Sequence, residues 1–275
     1  MEKNYGNYFI DNNLEQKPEE KETSNKIDLP SYKAIICFGI GWIGLSIIAT
    51  IVYFIIGLFV DISTLEPLQT TKLLGTVNFT CYAIICISLL AVLGKSVIVK
   101  LFNQFKDLNK IGKGLMYGFI LLGSSVIYNL IVLLIYPDFG TNQNQNAVVD
   151  MIQNIPVLSF FSVAIFAPLA EEITYRLCLT GTIAKKSKII AIVVSSVLFG
   201  LIHSAFIDLS FLTMTKEEII NEVIALPSYV ISGLVMAIAY TKEDSLAVSI
   251  TAHFTNNFIA FIQSFIPVEE LFRLF

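Results

Sequence analysis

Seven apolar runs divide this chain, at residues 34–60, 73–93, 111–136, 157–183, 189–207, 224–240 and 245–266. A hydrocarbon core needs about 20 apolar residues per helical crossing, so each run reads as a membrane span, the sixth being the shortest. The bilayer offers no partner to an unpaired backbone N–H or C=O, so long unbroken runs of this kind cross as helices. The expected fold is therefore an all-α, polytopic membrane helical bundle of about seven to eight transmembrane helices. An eighth would come from a half-span or interfacial helix over 206–223, and it would move the C-terminus to the other side. Composition agrees: 55% of the 275 residues are hydrophobic and 15% charged, which is more apolar and less charged than soluble domains are.

The runs order the rest of the chain. Residues 1–30, rich in Lys, Glu and Asn, read as a disordered cytoplasmic tail. No apolar core follows the charged start until Ala34, and that run is too long for the h-region of a signal peptide, so it stays as a span. Residues 31–156 form N-terminal transmembrane helices, and residues 157–275 a transmembrane core that carries the polar groups. Lys and Arg crowd the segments before the first run, between the second and third, and between the fourth and fifth, and are sparse in the alternate segments. By the positive-inside rule the N-terminus is cytoplasmic, in a multi-pass protein of the cell membrane. The net charge of −4 and the scattered basic clusters argue against a nucleic-acid partner. Cys37, Cys81, Cys86 and Cys178 all lie inside apolar runs without CxxC spacing, and they read as small packing residues rather than thiolate metal ligands. Gly114 and Gly118 have the spacing of a close helix contact and are assigned no further role.

The fourth run breaks the apolar rule. Glu171, Glu172 and Arg176 interrupt it, each at a cost of about 2.5 to 3.5 kcal/mol at mid-membrane. Four residues advance a helix by about 400°, so Glu172 and Arg176 can pair, while Glu171 points about 100° away from Glu172. The alternative is an ion pair that only fixes helix packing, with Glu171 in a wet cleft. The only two histidines are His203 in the fifth run, four residues after Phe199, and His253 in the seventh, four residues before Asn257. Each could be an ordinary packing residue. Counted at 1.5 Å per residue from the cytoplasmic ends, however, Glu171, His203, His253 and Asn257 lie about 21, 22, 14 and 20 Å deep, so three runs bring their polar groups to similar levels.

A carboxylate beside a neutral imidazole can hold a water and take its proton, because desolvation moves a carboxylate's pKa toward neutrality. A second imidazole and an amide are donors suited to a developing oxyanion. The set suits a hydrolase. No GxSxG elbow and no HExxH helix is present, which disfavours serine and conventional zinc-protease chemistry.

Glu171-Glu172-x-x-x-Arg176, Phe199-x-x-x-His203 and His253-x-x-x-Asn257 together resemble the ordered motifs of the CAAX protease and bacteriocin-processing (CPBP, or Abi) family of intramembrane proteases. The resemblance spans about 157–265, is similar to type II CAAX prenyl endopeptidases, and looks like the bacterial branch. It implies an intramembrane endopeptidase acting on a small peptide or lipid-anchored protein, in pheromone or bacteriocin processing or bacteriocin self-immunity. By the same resemblance Glu171 activates water with His203, Glu172 and Arg176 support the site, His253 and Asn257 hold the oxyanion, and Phe199 shapes the cleft. No cofactor is the favoured expectation. Zinc, held by Glu171, His203 and His253, is the alternative. Two other classes stay open: a non-catalytic immunity or scaffold protein of the membrane, and a proton-coupled transporter, since intramembrane Glu and His also mark ion paths.

Overall fold

The computed structural model describes residues 25–137, 139–140, 142–207 and 210–266. Most of the tail expected over residues 1–30 lies outside the described residues; of its last part, Ile27 and Leu29 are buried. Among the described residues the fold is nine helices and no strand: α1 Ser31–Gly57, α2 Pro67–Leu93, α3 Lys95–Lys106, α4 Leu108–Ile135, α5 Gln143–Asn154, α6 Pro156–Ile183, α7 Lys188–Ile202, α8 Lys216–Glu243 and α9 Leu246–Gln263. Five of them, α1, α2, α4, α6 and α8, are long and apolar enough to cross a membrane. Each of the seven apolar runs is helical over most of its length.

Two helices differ from the expected spans, for local reasons. The fifth run was expected to reach residue 207, but α7 stops at Ile202, because the His203 N–H turns back to Gly200 and its ring Nδ1 sits 2.8 Å from the Phe199 carbonyl. That side chain satisfies a carbonyl which the ladder would otherwise leave bare at a helix end. The sixth run, expected to be the shortest, is 28 residues long as α8. A capping box extends it at the start: Thr215 Oγ1 accepts from the Glu218 N–H, and the Glu218 carboxylate accepts from the Thr215 N–H at 2.7 Å.

Large apolar side chains point outward all along the bundle, among them Ile43, Ile47, Ile51 and Phe54 of α1 and Leu130, Ile131 and Leu134 of α4. Such a surface is far beyond what a water-facing protein exposes and suits a lipid solvent. Inside, helices approach where side chains are small. A Cβ added at Gly114 would come within 2.5 Å of Thr251 Cβ, and one at Gly118 within 2.6 Å of Thr255 Cβ, so these glycines seat α4 directly on α9. Gly233 of α8 does the same against the Ser196 backbone of α7. The start of α9 is fixed by buried Gln104 of α3, whose Oε1 accepts from Ser245 Oγ and the Ala247 N–H, both at 3.1 Å.

Candidate active site

The helix that carries the charges, α6, is not a regular α-helix. Its ladder widens to i→i+5 bonds over Phe160–Phe166 and again over Glu172–Thr180. Such widened turns are rare and cluster at functional sites. The first has a consequence in the sequence. The Ala167 N–H bonds to Ser162, and the next residue, Pro168, has no N–H to give, so the Val163 carbonyl is left without a ladder partner. Asn257 Nδ2 of α9 supplies the missing hydrogen at 3.0 Å.

One turn beyond Pro168, Glu171 and Glu172 diverge as expected. Glu172 is fully buried and pairs with Arg176, Oε2 to Nε at 3.2 Å, as an ion pair rather than an aligned hydrogen bond. Arg176 Nη1 donates to Ser195 Oγ at 3.3 Å, and its guanidinium lies 4.8 Å from the centre of the Phe199 ring. A buried arginine in hydrocarbon needs this much company: a carboxylate, a hydroxyl and an aromatic face. Phe199 thereby packs the charged pair on one side and both imidazoles on the other, at 4.7 Å from His203 and 5.9 Å from His253 between ring centres.

Glu171 enters the space between the histidines. Its Oε2 is 3.8 Å from Nε2 of His203 and 3.8 Å from Nε2 of His253, and this oxygen has no hydrogen-bond partner. The other ring nitrogens are both occupied. His203 Nδ1 faces the Phe199 carbonyl, which can only accept, so Nδ1 carries the proton and Nε2 presents a lone pair toward Glu171. His253 Nδ1 is 3.0 Å from Glu172 Oε1 and donates to that carboxylate. The Tyr229 ring stacks on His203 at 4.9 Å between centres and an interplanar angle of 15°.

Glu171, Glu172, Arg176, Phe199, His203 and His253 thus meet in one cluster drawn from α6, the end of α7 and α9. Asn257 stands one turn further along α9 and faces α6 through the Val163 carbonyl rather than Glu171. Tyr82, Ser195 and Tyr229 join the cluster without having been singled out in the sequence. Cys178 is a buried free thiol, as are Cys37, Cys81 and Cys86. Among the described residues no group of three or more His, Cys, Asp or Glu is arranged to hold a metal ion. The Glu171 and histidine atoms converge, but their 3.8 Å separations exceed the roughly 3.3 Å edge of a tetrahedron with about 2.0 Å ligand bonds.

Residues 153–259 match the family model described as type II CAAX prenyl endopeptidase Rce1-like, a stretch that contains all three motifs. That stretch is similar to type II CAAX prenyl endopeptidases. The chain is also similar, at 28% identity over 153 residues, to "Putative membrane peptidase YdiL" of Bacillus subtilis (strain 168). That alignment covers 55% of this chain and 55% of the relative, so the chain matches about half of the relative's length. No solved structure matches it. With its apolar helices and this match, the chain is a multi-pass membrane protein. Helices α1 to α4 lie outside the family match, although α2 touches the cluster.

Proposed function

We propose that the chain is an intramembrane endopeptidase in which Glu171 and His203 activate a water molecule for attack on a peptide bond. The observation that carries this reading is the unpartnered Glu171 Oε2 facing the His203 Nε2 lone pair across 3.8 Å. One water at ordinary hydrogen-bond distance from both atoms would donate a hydrogen to each. As the water oxygen bonds to the substrate carbonyl carbon, its proton passes to Glu171. The same proton goes to the amide nitrogen as the C–N bond breaks, leaving a new carboxyl and a new amine. His253 faces the site from Nε2, the nitrogen that Glu172 does not use, and with a proton on both ring nitrogens it donates from Nε2 to the developing oxyanion while Nδ1 stays on Glu172. Asn257 has a second amide hydrogen beyond the one given to Val163 and is assigned the same task. Glu172, Arg176 and Phe199 hold His253 and His203 in place.

The substrate class is a small peptide or a lipid-anchored protein presented from the bilayer, as in CAAX processing, pheromone or bacteriocin maturation, or self-immunity. The N-terminus is assigned to the cytoplasm of a cell-membrane protein, no metal is required, and zinc on Glu171, His203 and His253 is the competing arrangement. The test is incubation of the purified protein in detergent micelles with a peptide library, including farnesylated CAAX peptides, read by mass spectrometry. Cleavage by wild type that survives exhaustive chelation and disappears in Glu171→Ala and His203→Ala is the expected result. Equal product from the alanine variants would remove the assigned chemistry and favour a binding or immunity role.

A further inference from the structure

One hydrogen bond to Glu171 comes from outside the family-matched stretch. Tyr82 of α2 donates its hydroxyl to Glu171 Oε1 at 3.1 Å. The contact is one of three on a single face of α2. Phe79, three residues earlier, packs its ring 5.7 Å from that of Phe166, and Cys86, four residues later, donates from Sγ to the Phe166 carbonyl at 3.3 Å. Positions i, i+3 and i+7 share a helix face, so α2 is fixed on the widened part of α6 and the phenol is aimed inward. A tyrosine free to choose in a membrane would sit at the interface with its hydroxyl in water.

We propose that Tyr82 is a positioning residue for Glu171, so that the active site of this chain is completed by its N-terminal half. The inference rests on the peptidase reading. An unrestrained carboxylate rotates and presents either oxygen to a water. With Oε1 held by Tyr82, only Oε2 faces the two Nε2 atoms, and the base stays aligned with the water it shares with His203.

The experiment uses the full chain in micelles, with a farnesylated CAAX peptide or the library peptide that wild type cleaves fastest. Tyr82→Phe removes one oxygen and leaves the ring packed. The expected result is a kcat lower by about 10- to 100-fold at unchanged KM, with an unaltered thermal unfolding midpoint. Glu171→Asp shortens the base beyond Tyr82's reach, so adding Tyr82→Phe to it should lower kcat no further. A wild-type kcat in Tyr82→Phe, a loss confined to KM, or full additivity with Glu171→Asp would overturn the positioning role while leaving the peptidase reading intact. A wild-type protein that cleaves no peptide overturns both, which separates the two failures.

Discussion

Helices α1 and α6 are nearly equal in length, 27 and 28 residues, yet they solve opposite problems. In the most apolar stretch of α1 only 6% of residues are buried, whereas in α6 half are. The more apolar helix faces lipid and the more polar one forms the interior. In water the order would be reversed, because apolar burial drives folding there. In a bilayer the tails are as apolar as leucine, so what must be hidden from the solvent is charge, and α6 hides Glu172 and Arg176 completely. The polar interior is what the proposed hydrolytic site requires inside a membrane protein.

That contrast can be broken at several points. The largest effect belongs to the groups facing the shared space: Glu171→Ala and His203→Ala should each lower turnover by about 10²- to 10⁴-fold without loss of folded protein, measured as cleavage rate beside size-exclusion profile. Next come the hidden charges. Glu172→Ala or Arg176→Met leaves a buried partner uncompensated and should cost about 3 to 5 kcal/mol, seen as loss of monodisperse protein in detergent. On α1, Ile47→Ala at a lipid-facing position should change stability by no more than about 0.5 kcal/mol.

The contact between α4 and α9 is of intermediate size. Gly118→Ala forces a Cβ onto Thr255 and should cost about 1 to 3 kcal/mol, displacing the helix that carries His253, whereas Gly123→Ala, with no atom within 4 Å, should cost nothing measurable. A small, pH-dependent effect lies outside the apolar runs. Lys185 Nζ is 2.7 Å from Asp28, and its hydrogen bond and charge hold that carboxyl below its ordinary range. A depressed pKa stabilises the folded state above the unfolded pKa of about 3.9 and loses that contribution as pH falls through the folded value. Both side chains are more than half exposed, so Asp28→Asn should cost under about 1 kcal/mol, and only above that window.

The parts of this account that were legible in the sequence are those the bilayer penalises. Charges inside an apolar run are conspicuous, and a pairing rule as simple as i, i+4 placed Arg176 on Glu172. Tyr82 and Tyr229 were not legible, because tyrosine is at home in membrane helices and nothing local distinguishes a phenol aimed at a carboxylate from one at the interface. The end of α7 was missed since apolarity continues to Ile207; hydropathy records solvent preference and is blind to a side chain that caps a carbonyl. The polar first turns of α8 were passed over for the same reason, although Thr215 and Glu218 carry a capping signature. The bond from Asn257 to Val163 was not legible either, because it depends on the combination of a widened turn with Pro168, which no periodicity of 3.6 reveals.

The central claim is that Glu171 delivers water to a peptide bond, and the isotopic label of the product tests it most directly. Purified protein would be incubated with a cleavable peptide in ¹⁸O-labelled water, with Glu171→Gln in parallel, and the fragments weighed. The account predicts two fragments from wild type, one heavy oxygen in the new carboxyl, and no fragments from Glu171→Gln. Unlabelled product from wild type, or equal cleavage by Glu171→Gln, would contradict it.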